Sequence, residues 1–189
     1  MPIFTKTVDN AAYVALRDNF MCSLTSDEYF ALEAYTSSTY SEINKTLLNG
    51  QSDSSYQPII DSIYSALRKS ASDAIPALYR GTLQEHIAHL VEGEETTFPF
   101  FMSASTDPLV ADRFAGNESP AVIVIKNLQR GYAAVSISQL DEYEVLISPD
   151  TKFRVEKITT GADFQAEYDK SGYYAPVKNN VTVVEMTVI

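Results

Sequence analysis

Asp141-Glu142-Tyr143-Glu144 stands at the mouth of an apolar run, Val145-Leu146-Ile147, and sets two carboxylates either side of a tyrosine. In an extended strand successive side chains alternate faces, so Glu142 and Glu144 are expected to share one face and Tyr143 to point to the other. Two carboxylates that share a site can take different roles, one stabilising a developing cation while its neighbour accepts a proton. With 25 Asp and Glu in the chain, acid-x-acid spacings also arise by chance, and a solvated strand edge is their usual meaning. Two more polar signals precede the pair. Leu78-Tyr79-Arg80-Gly81-Thr82 ends an apolar strand with an arginine, followed by a glycine that lets backbone approach a ligand. Phe101-Met102-Ser103-Ala104-Ser105-Thr106-Asp107 closes the aromatic stretch Phe98-Pro99-Phe100-Phe101 with hydroxyls. Taken singly, these read as a surface ion pair and strand-end caps.

The elements that must position these groups fall into two halves. Residues from about 8 to 70 read as helical, beginning with Ala11, Ala12, Val14, Leu16 and Phe20. Leu24-Thr25-Ser26-Asp27-Glu28-Tyr29 carries a helix start: Thr25 as N-cap, Glu28 as its capping-box partner, and Leu24 placed to staple onto Tyr29. That helix is expected to run to about Tyr35. A polar break, Thr36–Thr39, precedes a helix in which Tyr40, Ile43 and Leu47 share a face and Asn49-Gly50 supplies the stop. After a polar loop, Gln51 to Ser55, the residues Ile59, Ile60, Ile63 and Leu67 recur at helical spacing. Pro76 marks a change of period. Short runs rich in Val, Ile, Tyr and Phe then predict strands over Ala77–Tyr79, Thr97–Met102, Ala121–Ile125, Ala133–Ile137, Tyr143–Ile147, Lys152–Ile158 and Val181–Val188. Short helices are expected near Leu83–Leu90 and Pro108–Phe114. Helices first and strands afterwards predict an α+β fold: N-terminal helices followed by a mainly antiparallel β-sandwich.

At 189 residues one domain is expected over 1–189, with a helical part at about 1–76 and a strand part at about 77–189. Such a chain buries enough surface to need neither disulfide nor structural metal. The formal net charge of -11 sets an average field that repels nucleic acid and anionic membrane. One cysteine, Cys22, and two histidines leave no Cys/His zinc set, and His86 and His89 read as a helix surface in preference to a metal half-site. The N-terminus lacks a charged region followed by an apolar run, and no apolar stretch reaches 18 residues, so a soluble, cytoplasmic protein without membrane association is expected. The glycines are scattered, which leaves a P-loop or Rossmann reading without support.

Taken together, Arg80, the aromatic-x-Ser-x-Ser of Phe101 to Ser105, and Glu142-x-Glu144 before an apolar strand resemble the arginine, serine, glutamate signature of mono-ADP-ribosyltransferases. That branch includes arginine-specific bacterial and phage toxins and the actin-modifying catalytic domains of binary toxins. Thr151–Val155 resembles the strand after the family's Glu-x-Glu, and Leu24–Glu28, Tyr35-Thr36 and Tyr40–Asn44 resemble the helical part of the same toxins. The resemblance covers roughly residues 24 to 188 and implies the ADP-ribosyltransferase fold. It implies NAD+ as co-substrate without a metal, and transfer of ADP-ribose to an arginine of a target protein, such as a host protein, by a monomer.

Residue by residue, the resemblance makes Arg80 the clamp for diphosphate and ribose and Ser103 the residue that orients Glu144. Glu144 becomes the carboxylate that stabilises the ribosyl cation, and Glu142 the one that receives the proton of the acceptor guanidinium. Gly81 offers backbone to the nicotinamide amide, Ser105 completes the serine motif, and Phe114 is the aromatic that packs on nicotinamide. Tyr35, Tyr40 and Asn44 complete the adenosine and phosphate side. Three departures stand out: Ala104 replaces the usual threonine, and Gln139 in Ser136–Asp141 stands where several toxins carry an aromatic. Gly116-Asn117 replaces a second phosphate-binding arginine, with Arg113 the nearest substitute. NAD+ glycohydrolysis, transfer to a nucleic acid, and a catalytically inactive NAD-binding or interaction module are the competing readings.

Overall fold

The computed structural model describes residues 3–50, 55–70, 75–128, 132–134, 142–149, 151–168 and 172–189. After a short strand, β1 (Ile3–Phe4), come α1 (Asn10–Met21) and α2 (Ser26–Ala34). Thr25 caps α2 through the expected box: its Oγ1 accepts from Glu28 N while Glu28 Oε2 accepts from Thr25 N at 2.7 Å. The polar break is itself helical. Tyr35–Thr39 forms a π-helical turn that runs into α3 (Tyr40–Leu48), and α4 (Gln57–Leu67) follows. A π-turn widens the helix by one residue, and here it leaves Tyr35 2% exposed while Tyr40 stands 56% exposed, not on the buried face shared with Ile43.

Strands then dominate: β2 (Ile75–Leu83), β3 (Glu95–Thr97), β4 (Met102–Ser105), β5 (Pro120–Leu128), β6 (Tyr132–Ala134), β7 (Glu144–Ile147), β8 (Lys152–Tyr168), β9 (Tyr173–Tyr174) and β10 (Lys178–Val188), with α5 (Gln84–Ile87) and α6 (Pro108–Ala115) between them. Helices precede strands, as expected. The sheet, however, is mixed: the described strands join in the order β1-β8-β10-β5-β2-β4-β7-β6, and β1–β8 and β10–β5 are parallel. An antiparallel sandwich was the natural reading because apolar patterning reports which residues are buried and carries no strand direction. The continuity of the sheet is thinnest between β2 and β4, which pair at Tyr79↔Ser105.

Other differences have local causes. Phe98–Phe101, expected to be strand, links β3 to β4 outside the ladder. Pro99 lacks a donor, and the two ends of the link fill different cores: Phe98 packs on Phe153, whereas Phe101 joins Tyr35, Ile43 and Ile63 under the helices. The expected strand Ala133–Ile137 is seen as Tyr132–Ala134, and 135–137 lie outside the described residues. β8 continues ten residues beyond its expected end at Ile158, bending at Gly161 (φ +65°). The run Ala121-Val122-Ile123-Val124-Ile125 is buried on both faces. Val122 and Val124 pack with α6 residues Ala111 and Ala115, and Ile123 and Ile125 join Leu78, Val184 and Met186 on the other side.

Candidate active site

The ends of β2, β4 and β7 meet beneath the π-turn and α6, and a cleft of about 380 Å³ opens between them. Arg80 and Gly81 come from β2, Ser103 and Ser105 from β4, Glu144 from the start of β7 and Glu142 from just before it. Tyr35, Tyr40 and Asn44 line the cleft from the helical side and Phe114 from α6. All of these residues therefore border this one cleft. Thr36, Tyr79, Phe101, Ala104, Val110 and Ala111 also line it. Val110 and Ala111 lie four and three residues before Phe114, so the helical period of Pro108–Phe114 contained the signal for them.

Register fixes the floor. In the antiparallel pairing of β4 with β7, Ser105 faces Glu144 and Ser103 faces Leu146, so both serines project to the side that carries Glu144. Ala104 alternates away, 6% exposed, into the core with Val145. The Arg80 guanidinium donates from Nη1 to Ser103 O at 2.6 Å, and burial holds its pKa below the usual arginine value against the pull of Tyr35 and Glu144. Glu144 is 8% exposed. Burial pushes its carboxyl up to about 7; a hydrogen bond with the Ser103 side chain lowers it, the neighbouring Glu142 charge raises it, and Arg80 lowers it. Burial likewise pushes the Tyr35 phenol up to about 12, against hydrogen bonds from Asn44 and Ser103.

The two glutamates reach the cleft by a different route from strand alternation. Tyr143 takes a left-handed conformation, φ +46°, and β7 begins only at Glu144. A side-chain-bearing residue enters that region at a cost of about 1–2 kcal/mol, so its neighbours must hold it there. Ser105 Oγ donates to Glu142 O at 2.6 Å, Tyr143 O accepts from Thr106 N at 3.3 Å, and the Tyr13 hydroxyl donates to Glu144 O. Glu142 is thus carried on a turn, whereas Glu144 is carried on a strand.

On the helical side, Asn44 is committed to backbone. Its Oδ1 accepts from Phe101 N at 3.1 Å, and its Nδ2 donates to Phe101 O at 3.2 Å and to the Tyr35 hydroxyl at 3.0 Å. Tyr35 donates in turn to Phe101 O at 3.0 Å. These bonds tie the π-turn to the residue from which β4 departs. Gly81 meets α6 closely: a Cβ there would lie 1.9 Å from Ala111 O and 2.5 Å from Ala115 N, so packing alone requires glycine. Phe114 is 60% exposed and Tyr40 56%, and both border the cleft. Arg113 is exposed and is not among the described residues lining the cleft. The loop Ser136–Asp141, Gln139 included, lies outside the described residues. Among the described residues no cluster of three or more His, Cys, Asp or Glu could hold a metal ion, and His86 Nδ1 pairs with Thr82 Oγ1 at 2.9 Å. Among those residues no helix is long and apolar enough to cross a membrane.

This arrangement of helices, mixed sheet and cleft is the fold of ADP-ribosylating toxins. BECa of Clostridium perfringens, solved with NADH, superposes with a TM-score of 0.72 at 20% identity, over 100% of this chain and 50% of that one. Vis of Vibrio splendidus, solved with agmatine, gives 0.64 at 24% identity, over 96% of this chain and 86% of Vis. The model of the ADP-ribosyltransferase exoenzyme family matches residues 10–172, and the chain belongs to that family. Two curated relatives match by sequence. Mav of Mycobacterium avium (strain 104), named provisionally as an NAD(+)–arginine ADP-ribosyltransferase, is 34% identical over 140 residues, which is 70% of this chain and 16% of Mav. Exoenzyme T of Pseudomonas aeruginosa is 29% identical over 135 residues, 68% of this chain and 28% of that protein. The match therefore spans well under a third of each curated relative's length.

Proposed function

We propose that this chain, acting as one domain, cleaves the nicotinamide–ribose bond of NAD+ and transfers ADP-ribose to an arginine of a target protein. The observation that carries the reading is one cleft lined by Glu144, 8% exposed, together with Ser103, Arg80 and, two residues before Glu144, Glu142. The cleft suits the substrate. A guanidinium has five N–H donors, so the bond from Arg80 to Ser103 O leaves capacity for an anionic diphosphate. The exposed rings of Phe114 and Tyr40 supply apolar faces at the rim for flat heterocycles.

The chemistry assigned to each residue follows. Departure of neutral nicotinamide leaves a ribosyl cation, and the Glu144 carboxylate stabilises that charge most strongly as it forms. A guanidinium acceptor is protonated and attacks through a nitrogen that must lose its proton; Glu142 receives that proton and holds the acceptor. No metal enters this scheme. The acceptor class is supported by Glu142 itself, by the name of Mav and by the agmatine bound to Vis, and the co-substrate by the NADH bound to BECa.

The test uses NAD+ labelled in the adenosine moiety, with agmatine and with a cell lysate as acceptors. Glu142→Gln is expected to abolish transfer and keep nicotinamide release, whereas Glu144→Ala loses both. Equal loss in both variants with no label on any acceptor would replace this reading with NAD+ glycohydrolysis. Intact nicotinamide release in Glu144→Ala would overturn it.

A further inference from the structure

Lys6 precedes residue 10, where the family match begins, and the reaction as described makes no use of it. It is nevertheless withdrawn from water, 3% exposed, a position that is costly for an ammonium unless its charge is answered. Partners among the described residues answer it. Nζ donates to Asn10 Oδ1 at 2.6 Å, lies 3.5 Å from Asp107 Oδ2, and sits 3.0 Å from the centroid of the Tyr143 ring. The ring it covers belongs to the residue at φ +46° that separates the two glutamates.

The surroundings make this contact consequential. Tyr13 meets the Tyr143 ring edge-on at 5.4 Å and 87°, and Thr7 N donates to Thr106 O at 3.0 Å, so the segment through Lys6 and Thr7 backs the turn directly. Asp107 joins the same frame: its N donates to Ser105 Oγ at 3.0 Å, the hydroxyl that holds Glu142 O. Glu144 has independent support from strand pairing with Ser105 and from the Tyr13 hydroxyl. Glu142 joins that frame through the Ser105 bond and through the conformation of Tyr143.

We propose that Lys6 is a positioning residue for Glu142: by covering the Tyr143 ring and pairing with Asp107, it holds the left-handed turn that presents the acceptor-side carboxylate. The inference rests on the transferase reading and adds a division within it. Releasing the turn displaces Glu142 while β7 keeps Glu144 in place, so acceptor chemistry suffers and bond cleavage does not.

Lys6→Met keeps the length of the side chain and removes its charge. The expected result is a fall of about tenfold in kcat for transfer to agmatine, the scale of a misplaced catalytic group, with nicotinamide release without acceptor within about twofold of wild type and KM for NAD+ unchanged. Lys6→Arg, which keeps a cation over the ring, restores transfer. Tyr143→Leu reproduces the loss, and combining it with Lys6→Met adds little, because both break one contact. Equal losses of transfer and release, unchanged transfer, or additive effects would overturn the proposal. A crystal structure of Lys6→Met supplies a readout that does not depend on turnover: Tyr143 leaving positive φ supports the positioning role, and Tyr143 unmoved refutes it. Absence of nicotinamide release from the wild-type chain would instead refute the proposed function.

Discussion

Two carboxylates, Glu28 in the helical layer and Glu144 at the end of β7, are buried to nearly the same degree, 4% and 8% exposed, and are treated in opposite ways. Around Glu28 the chain gathers donors: Thr25 N at 2.7 Å, Ser65 Oγ at 2.8 Å and Lys69 Nζ at 2.6 Å. Burial alone would raise its pKa, but Lys69, Thr25 and Ser65 together bring it down to about 2. Glu144 is pushed up to about 7 by burial, with the Glu142 charge adding to the rise. The difference separates a carboxylate whose donors outweigh its burial from one whose burial outweighs the Ser103 hydrogen bond and the Arg80 charge. A developing cation in the cleft would supply what the surrounding protein withholds.

The comparison breaks most sharply at Glu144. Glu144→Ala is expected to lower nicotinamide release by about 10²–10³-fold, the scale of removing one preorganised electrostatic group, with no loss in Tm; a thermal melt beside the kinetic assay checks both. Glu28→Ala should do the reverse. It leaves Thr25 N and Lys69 without their acceptor, and because Lys69 keeps partial access to water the cost is about 1–3 kcal/mol, read by urea denaturation, with the KM for NAD+ unmoved.

Their pH dependences should oppose each other. The Glu28 carboxyl is held below its ordinary 4.5, so its stabilisation is full above that value and is lost as pH falls toward 2. Glu144 is held above 4.5, so its contribution is full below 4.5 and is lost as pH rises through about 7. In Tm measured from pH 4.5 to 7.5, Glu144→Gln should remove that second decline. Over the same interval kcat/KM for NAD+ should rise with pH, since the ionised Glu144 is the form that stabilises a cation. The smallest effect is expected from Tyr35→Phe, which removes the bond to Phe101 O and should cost about 1 kcal/mol of stability.

Arg80, Ser103 and Glu144 each stand out in the sequence as polar groups beside an apolar run, although singly each reads as a surface or cap residue. Their meeting was legible only through resemblance, since no period in the sequence states that β2 pairs with β4 at Tyr79↔Ser105. The alternation argument placed Glu142 and Glu144 on one side for the wrong reason: it assumed an extended Tyr143, and the left-handed turn there depends on Lys6, Tyr13 and Thr106, which are remote in sequence or carry no turn signature. Asn44 shows the same limit. The resemblance sets it beside the cleft, which it lines, but nothing near it in the chain states that its amide is bonded to Phe101, 57 residues away. Capping of α2 needed only four adjacent residues, and there the reading from Thr25 and Glu28 carried through to atomic detail.

The place of β10 bears on how the molecule is made. This last strand lies between β8 and β5, antiparallel to one and parallel to the other. Until residues 178–188 pair with it, β5, apolar on both faces, has a partner in β2 on one side and an open edge on the other. Pairing of β5 with β10 is therefore a step of the slow, non-local kind. The nascent chain must be kept from pairing that edge with its neighbours during translation.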